Sequence, residues 1–225
     1  ISKIKKNSTV KATQILTEQT LLHDKDCITT PVPMLNVALS GSVDGGLIPG
    51  LTVLAGPSKH FKSLFALVIG AAFLKKYPDG ILLFYDSEFG TPTKYFENLE
   101  MDMEKIVHTP ITNIEELKHD LVRQLEGFNR TDKVCIIVDS VGNLASKKEV
   151  EDAKDAKSVA DMTRAKAMKS LFRIVTPYLT VKDIPLIAIN HTYKTQEMFS
   201  KDVVSGGTGI YYSAGDIWII GRQQD

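Results

Sequence analysis

Short, continuous runs of apolar residues alternate along this chain with segments in which apolar residues recur at helical spacing. The strand-length runs cover residues 51–55, 81–85, 134–138, 186–189 and 217–220. The helical segments cover residues 63–76, 93–99 and 113–128, with Asn113 as the predicted cap of the last one. Continuous apolar strands separated by amphipathic helices are typical of parallel sheets. The sequence therefore predicts the α/β class, with a mainly parallel central sheet and helices on both faces.

Three segments depart from this alternation. Residues 1–29 are rich in Lys, Ser and Thr, and we expect an N-terminal arm there, either a protomer-contact element or a poorly ordered terminus, before a core over residues 30–225. Residues 146–157 are charged, and residues 192–209 mix polar, aromatic and glycine residues. Each of the last two follows a predicted strand, and open parallel sheets bind ligands beyond the carboxyl ends of their strands.

Charge and composition narrow the classes of partner. The 27 basic residues balance the 27 acidic ones, so only a local patch of charge could hold nucleic acid. The apolar runs are too short to span a bilayer and no charged-apolar-small signal sequence opens the chain, so we expect a cytoplasmic protein with no membrane partner. Cys27 and Cys135 lack metal-ligand spacing, which agrees with a reducing compartment.

The first apolar strand is followed by a motif for binding phosphate. A P-loop has a Gly, four free residues and then Gly-Lys-Ser or Gly-Lys-Thr, so that backbone amides and the start of a helix face the phosphates. Lys62 and Ser63 stand at the required spacing from Gly56, where Lys62 would reach the β- and γ-phosphates and the Ser63 hydroxyl would bind Mg²⁺. The residues of this segment predicted to bind the nucleotide are Gly56, Pro57, Ser58, Lys59, His60, Phe61, Lys62, Ser63 and Leu64.

One position of the motif deviates from the P-loop pattern. Phe61 occupies the place of the second glycine. A residue other than glycine that must adopt a positive φ there costs about 1–2 kcal/mol. We therefore predict that Phe61 reshapes the loop rather than abolishing it.

Acidic residues follow two of the predicted strands. Asp139 ends one of them, where a P-loop ATPase keeps the acid that holds Mg²⁺, here through a water molecule. The alternative is that Asp139 caps a helix, a role for which Ser140 is a second candidate. Asp86 and Glu88 follow the other strand. Two strands ending in carboxylates, together with Lys-Ser after a Gly turn, predict ATP and Mg²⁺ as cofactors.

Several short blocks of sequence stand out across residues 34–222. They are the glycine-rich approach at 45–50, Phe-Tyr-Asp-Ser-Glu at 84–88, Asp-Ser-Val at 139–141, Ile-Ala-Ile-Asn-His at 187–191 and Gly-Gly-Thr-Gly at 206–209. In kind and in order these blocks resemble the RecA-type recombinases, and most closely the branch of that family found in T-even bacteriophages. The phage branch also departs from glycine at the position of Phe61. The resemblance implies a RecA-like P-loop ATPase core.

The resemblance also implies roles for single residues. Glu88 would orient and deprotonate the water that attacks the γ-phosphate, and Lys62 would act beside it. His191, where bacterial relatives carry glutamine, would sense the γ-phosphate and relay its presence to the following loop in a way that depends on pH. Tyr95 would stack on adenine. The alternatives are a solvated acid for Glu88, an incidental polar residue for His191 and a core aromatic for Tyr95.

By the same resemblance, single-stranded DNA would bind two loops, at residues 146–159 and 192–205. The predicted DNA contacts are Lys147, Lys148, Arg164, Tyr193, Lys194, Phe199, Lys201, Gly206 and Gly207. In the second loop, interleaved aromatic and basic groups suit stacking on bases and neutralisation of phosphates. In the first loop acidic neighbours offset the lysines, and a solvated, charged helix face is the alternative.

The function that the resemblance implies is that of a DNA-dependent ATPase. It would form helical filaments on single-stranded DNA and pair it with homologous duplex in recombination, repair and recombination-dependent replication. Implied partners are both forms of DNA, further protomers, a single-strand-binding protein and a recombination mediator, in the host cytoplasm for a phage protein. The alternatives are a non-catalytic ATP-binding assembly factor, suggested by Phe61, and a RecA-fold helicase motor. Because the chain stops at Asp225, before the family's interprotomer basic residues and its C-terminal part, we expect a fragment.

Overall fold

The structure, a computed structural model, describes residues 1–10, 13–18, 25–154, 163–195 and 201–221. Its α-helices are α1 (Ser2–Asn7), α2 (Pro33–Ser40), α3 (Lys62–Lys76), α4 (Thr93–Asn98), α5 (Ile114–Gly127), α6 (Lys147–Lys154), α7 (Thr163–Lys182) and α8 (Gly209–Ser213). Its strands are β1 (Gly50–Gly56), β2 (Ile81–Asp86), β3 (Ile106–Pro110), β4 (Val134–Asp139), β5 (Pro185–Lys194), β6 (Asp202–Val204) and β7 (Asp216–Ile219). Short 3-10 turns cover Leu16–Glu18, Met103–Lys105 and Val141–Asn143.

The strands form one sheet in the order β3-β2-β4-β5-β1-β7, and all of these neighbours are parallel. Strand β6 pairs antiparallel with the end of β5. The predicted α/β class with a mainly parallel sheet is confirmed. The apolar pattern missed β3 because this edge strand buries no side chain fully, and it missed β6 because that strand is only three residues long. Helix α5 begins as predicted, since the Asn113 side chain accepts a hydrogen bond from the Glu116 amide at 2.9 Å.

Helices cover both faces of the sheet, and alternate residues of each strand point to opposite faces. Helices α5 and α7 pack on the face that carries Val53 and Val138. Helix α3 packs on the face that carries Leu54 and Ile137. It lies close to the sheet at Gly70, where a Cβ atom would be 3.2 Å from Cδ1 of Ile137. None of the helices that the structure describes is long and apolar enough to cross a membrane.

The chain before β1 contacts the core at a few points. Ile28 forms a backbone bridge with Leu47. Lys25 pairs with Asp183 at 3.2 Å, and the Asp26 carboxylate accepts a hydrogen bond from the Lys76 ammonium. Helix α1 buries none of its residues. The division into an arm over residues 1–29 and a core over residues 30–225 stays a prediction.

The carboxyl ends of four parallel strands meet at one edge of the sheet. Gly56 at the end of β1 is in register with His191 on β5. Asp86 at the end of β2 is in register with Asp139 at the end of β4. The fold therefore brings together residues that lie far apart in the sequence.

Candidate functional site

The segment predicted to bind phosphate is a loop between β1 and α3, as the motif predicts. Gly56 has a φ of 157°, and a Cβ atom there would lie 2.4 Å from the carbonyl oxygen of Ile220, so only glycine fits. Lys59 and Phe61 both have positive φ, at 63° and 58°. The loop thus leads directly into α3. Its last backbone amides lie at the start of that helix, where the helix dipole favours an anion.

Phe61 adopts the backbone conformation that the P-loop pattern reserves for glycine. Its φ of 58° and ψ of 14° are left-handed, and α3 begins at the next residue. Its carbonyl accepts the amide of Phe65 at 2.9 Å, as in an ordinary helix start. Phenylalanine therefore keeps the turn at a cost of about 1–2 kcal/mol of backbone strain.

Phe61→Gly is expected to raise the free energy of unfolding by about 1 kcal/mol. Glycine adopts this backbone conformation without strain, and the phenyl ring, which is 68% exposed, contributes little burial. Phe61→Ala is the matched control because alanine removes the ring and keeps the strain. Urea unfolding of the three proteins measures the difference, and a Gly variant no more stable than the Ala variant would contradict the assignment.

Lys62 is the cation at the bottom of the loop. It is almost fully buried, and its Nζ donates a hydrogen bond to the carbonyl of Pro57 at 2.7 Å. Burial lowers the pKa of Lys62, while the nearby carboxylates of Glu88 and Asp139 oppose that shift. An ammonium group has three donors, so Lys62 keeps donors for phosphate oxygens after its bond to Pro57.

Asp139 and Ser63 form a pair suited to Mg²⁺. Asp139 is 3% exposed and hydrogen-bonded to Ser63, and its Oδ1 has no partner among the described residues. Burial raises the pKa of Asp139 to about 6, and Glu88 and Asp86 add to this, whereas Ser63 and Lys62 oppose it. A buried carboxylate oxygen without a partner, beside a hydroxyl, fits a hard divalent cation that takes few protein ligands. The described residues hold no group of three or more His, Cys, Asp or Glu that could bind a metal by themselves.

Without Mg²⁺ or nucleotide, Asp139 should make the fold less stable as the pH rises. The folded chain keeps its proton up to about pH 6, whereas the unfolded chain releases it near pH 3.8. The folded state therefore binds more protons in this window, and its stability should fall by roughly 3 kcal/mol as the pH rises through it. Asp139→Asn removes this contribution. Urea unfolding from pH 4 to 7 in a chelator should show the wild type losing stability relative to the variant, and parallel curves would refute the shift.

Glu88 lies at the centre of a small hydrogen-bonded group. Its Oε1 accepts the hydroxyl of Ser140 at 2.6 Å and lies 3.1 Å from Nε2 of His191. Ser140 directly follows β4 and His191 lies on β5, so one carboxylate oxygen of Glu88, which follows β2, contacts residues from two neighbouring strands. Both bonds use Oε1, which leaves Oε2 for a water molecule.

Asp86 holds the turn that carries Glu88. Its Oδ1 accepts the amides of Glu88 at 3.0 Å and Phe89 at 2.7 Å, and its Oδ2 lies 3.1 Å from Nε2 of His108. Ser87 joins this turn to the next strand, because its Oγ donates to the carbonyl of Ser140 at 2.8 Å. Asp86 therefore positions Glu88, a role that the sequence motif alone does not assign.

A cleft of about 710 Å³ opens between the loop and these strand ends, a volume suited to a nucleotide. It unites the predicted residues from Ser58 to Leu64 with Glu88, Asp139, His191 and Tyr95. Gly56 and Pro57 are not among the residues that line it. Tyr95 is 47% exposed, which does not fit a core aromatic, and its stacking on adenine stays a prediction. The lining residues that the motifs did not indicate are Gly90, Asn98, Leu99 and Ile189.

The model of the RecA N-terminal domain family matches residues 1–218. The chain belongs to this family. It is 54% identical over 223 residues to the "Recombination and repair protein" of Enterobacteria phage T4, across 99% of this chain and 57% of that protein. The chain thus spans a little over half the length of this relative. RecA-family proteins are in general nucleotide-binding ATPases, which agrees with the cleft.

In this RecA-family chain, β5 runs from the cleft, at His191, to the residues predicted for the second DNA loop. Tyr193 and Lys194 end that strand with exposed side chains, and Lys201 lies exposed just before β6. Gly206 and Gly207 have φ values of 96° and 79°, a region that favours glycine. Phe199 lies outside the described residues.

The residues predicted to bind DNA in the first loop, and in the helical stretch that follows it, differ in their surroundings. Lys147 and Lys148 are exposed at the start of α6. Arg164 is instead partly buried, and its guanidinium donates to the carbonyls of Leu144 at 2.8 Å and Gly142 at 2.6 Å. A DNA contact by Arg164 remains a prediction, but these bonds already use much of its donor capacity.

Helix α7 carries a basic stripe, which is a row of exposed basic residues along one face of the helix. Lys166, Lys169 and Arg173 are exposed and lie three and four residues apart, which places them on one face of the helix. This helical spacing is visible in the sequence and is the signal that could have indicated the three residues. Such a stripe is a local patch of positive charge on a chain whose net charge is zero.

Proposed function

We propose that this chain is the ATP-hydrolysing core of a recombinase of the T-even phage type. It would form helical filaments on single-stranded DNA and promote pairing and strand exchange with homologous duplex. The observation that carries the proposal is the position of His191. Its side chain meets Glu88 in the nucleotide cleft, and its strand continues directly into Tyr193 and Lys194. One strand thus connects the proposed site of hydrolysis to a candidate DNA-binding surface.

The chemistry proposed for the cleft is attack of water on the γ-phosphate of ATP. Glu88 would orient the water and take its proton through Oε2, because Oε1 is already bound by Ser140 and His191. Lys62 would donate to the β- and γ-phosphates. Ser63 and Asp139 would hold Mg²⁺, which supplies positive charge against the phosphate oxygens. The products are ADP and inorganic phosphate.

DNA binding would depend on local positive charge and on the number of protomers bound along one strand. The exposed stripe of Lys166, Lys169 and Arg173 would neutralise phosphates, and Tyr193 would stack on or wedge against bases. Because the chain has no net charge, its overall electrostatic attraction to DNA is weak. Affinity for DNA would therefore come from many protomers arrayed on one strand. The family resemblance adds a single-strand-binding protein and a recombination mediator as proposed partners, and the host cytoplasm as the proposed location.

The test is the rate of ATP hydrolysis by the full-length protein with and without single-stranded DNA, together with electron micrographs of the same samples. We expect DNA to stimulate hydrolysis and filaments to form on DNA in the presence of ATP. Absence of both results would overturn the proposal. Closed rings in place of open filaments would favour a helicase motor.

A further inference from the structure

Arg164 bridges the turn that follows β4 and the residue that follows β6, and it is not among the residues that line the cleft. Its Nε and Nη2 donate to the carbonyls of Leu144 and Gly142 in the turn after Asp139. Its Nη1 donates to the hydroxyl of Ser205, at the exit of the second predicted DNA loop, at 3.4 Å. The planar fork of a guanidinium suits such a bridge, because its donors hold fixed directions.

On one side of this bridge, the turn after β4 packs against His191. A Cβ atom at Gly142 would lie 2.7 Å from Cδ2 of His191 and 2.7 Å from Oδ1 of Asn190. The turn therefore fits closely against the strand end that carries the partner of Glu88. The gap is too small for a methyl group, so a shift of the turn toward β5 would displace His191.

On the other side, Ser205 is tied to the same strand end. Its amide donates to the carbonyl of His191 at 2.9 Å, and its carbonyl accepts the side chain of Asn190 at 2.8 Å. The oxygen of the Asn190 side chain in turn accepts the amide of His191 at 2.8 Å. Ser205 thus reaches His191 through its backbone and Arg164 through its hydroxyl.

We infer that Arg164 is a positioning residue that couples the exit of the DNA loop to the Glu88–His191 pair. The inference rests on the proposed function, since it assigns a route by which bound DNA alters hydrolysis. A displacement at Ser205 reaches His191 directly, and Arg164 makes the turn after Asp139 move with it. Loss of the fork leaves the bond from Ser205 to His191 in place but frees the turn after Asp139, so the turn that packs against His191 no longer moves with the loop exit.

The test compares Arg164→Lys and Arg164→Gln in the full-length protein. The lysine keeps the charge but cannot make three bonds in fixed directions. We expect both variants to lower the ratio of hydrolysis with single-stranded DNA to hydrolysis without it by about fivefold or more, the lower end of typical coupling between sites. Binding of a fluorescent ATP analogue and the salt dependence of DNA affinity should match the wild type. Arg123→Lys, an exposed site on α5, is the matched control and should keep the wild-type ratio.

A direct DNA contact by Arg164 gives a different result. Removal of one phosphate contact would reduce the slope of log affinity against log salt by about 0.7 in Arg164→Gln, and lysine would restore both affinity and stimulation. That result, or a wild-type ratio in both variants, overturns the inference alone. A wild-type protein that DNA does not stimulate overturns the proposed function together with the inference.

Ser205→Ala keeps the test decisive if the Arg164 variants do not fold, which thermal unfolding reports. This change removes only the hydroxyl that accepts from Arg164. We expect it to lower the stimulation ratio in the same direction, and to add little to the loss in Arg164→Lys because both act on one bridge. An unchanged ratio in Ser205→Ala, or full additivity of the two changes, counts against the coupling.

Discussion

Glu88→Gln should lower the rate of DNA-stimulated ATP hydrolysis by about 10²–10⁴-fold, the usual contribution of a general base. Glutamine has nearly the same shape, and its side-chain oxygen can still accept the hydroxyl of Ser140. It cannot take a proton from the attacking water. We therefore expect ATP binding and filament formation on DNA to persist while turnover nearly stops. Release of inorganic phosphate, measured beside equilibrium binding of an ATP analogue, separates the two effects.

Glu97→Gln is the matched control for this change. Glu97 is exposed on α4 and does not line the cleft, so the same loss of charge there should leave hydrolysis as in the wild type. If Glu88→Gln hydrolysed ATP at the wild-type rate, Glu88 would not be the base. The non-catalytic assembly factor would then become the better explanation of this nucleotide site.

Lys62→Ala should weaken ATP binding by about 10–100-fold, because it removes charge-assisted hydrogen bonds worth about 1.5–3 kcal/mol. The loss also leaves Glu88 and Asp139 without the cation that offsets their charge. Hydrolysis at subsaturating ATP should fall further than binding, since the same ammonium faces the charge that develops in the transition state. Titration with a fluorescent ATP analogue measures the affinity.

Two further variants control the Lys62 experiment. Lys94→Ala removes an exposed lysine of α4 that does not line the cleft, and it should bind ATP as the wild type does. Lys62→Arg keeps the charge in a larger group and should recover part of the affinity. Normal binding and hydrolysis by a folded Lys62→Ala protein would show that this loop is not the nucleotide site.

The local chemistry of the site could be predicted from the sequence because it depends on short spacings. A glycine after a strand, with Lys62 and Ser63 at the start of a helix, fixes where backbone amides and a cation face phosphate. Asp139 was found because it ends a continuous apolar run, and such a run predicts a buried parallel strand. The α/β class followed from the same runs. Edge strand β3 was not predicted because its half-exposed residues do not form a continuous apolar run.

The tertiary structure alone decided how residues distant in sequence act on one another. The sequence placed Asp86 and Glu88 side by side as two acids, and only the fold shows one holding the turn while the other faces His191. The sequence likewise grouped Arg164 with the basic residues, yet the carbonyls it meets come from a turn about 20 residues away. Spacing along the chain specifies a loop, whereas strand register and packing specify which side chains meet. For this protein, the sequence determined the phosphate loop, and the alignment of strand ends determined the network around Glu88.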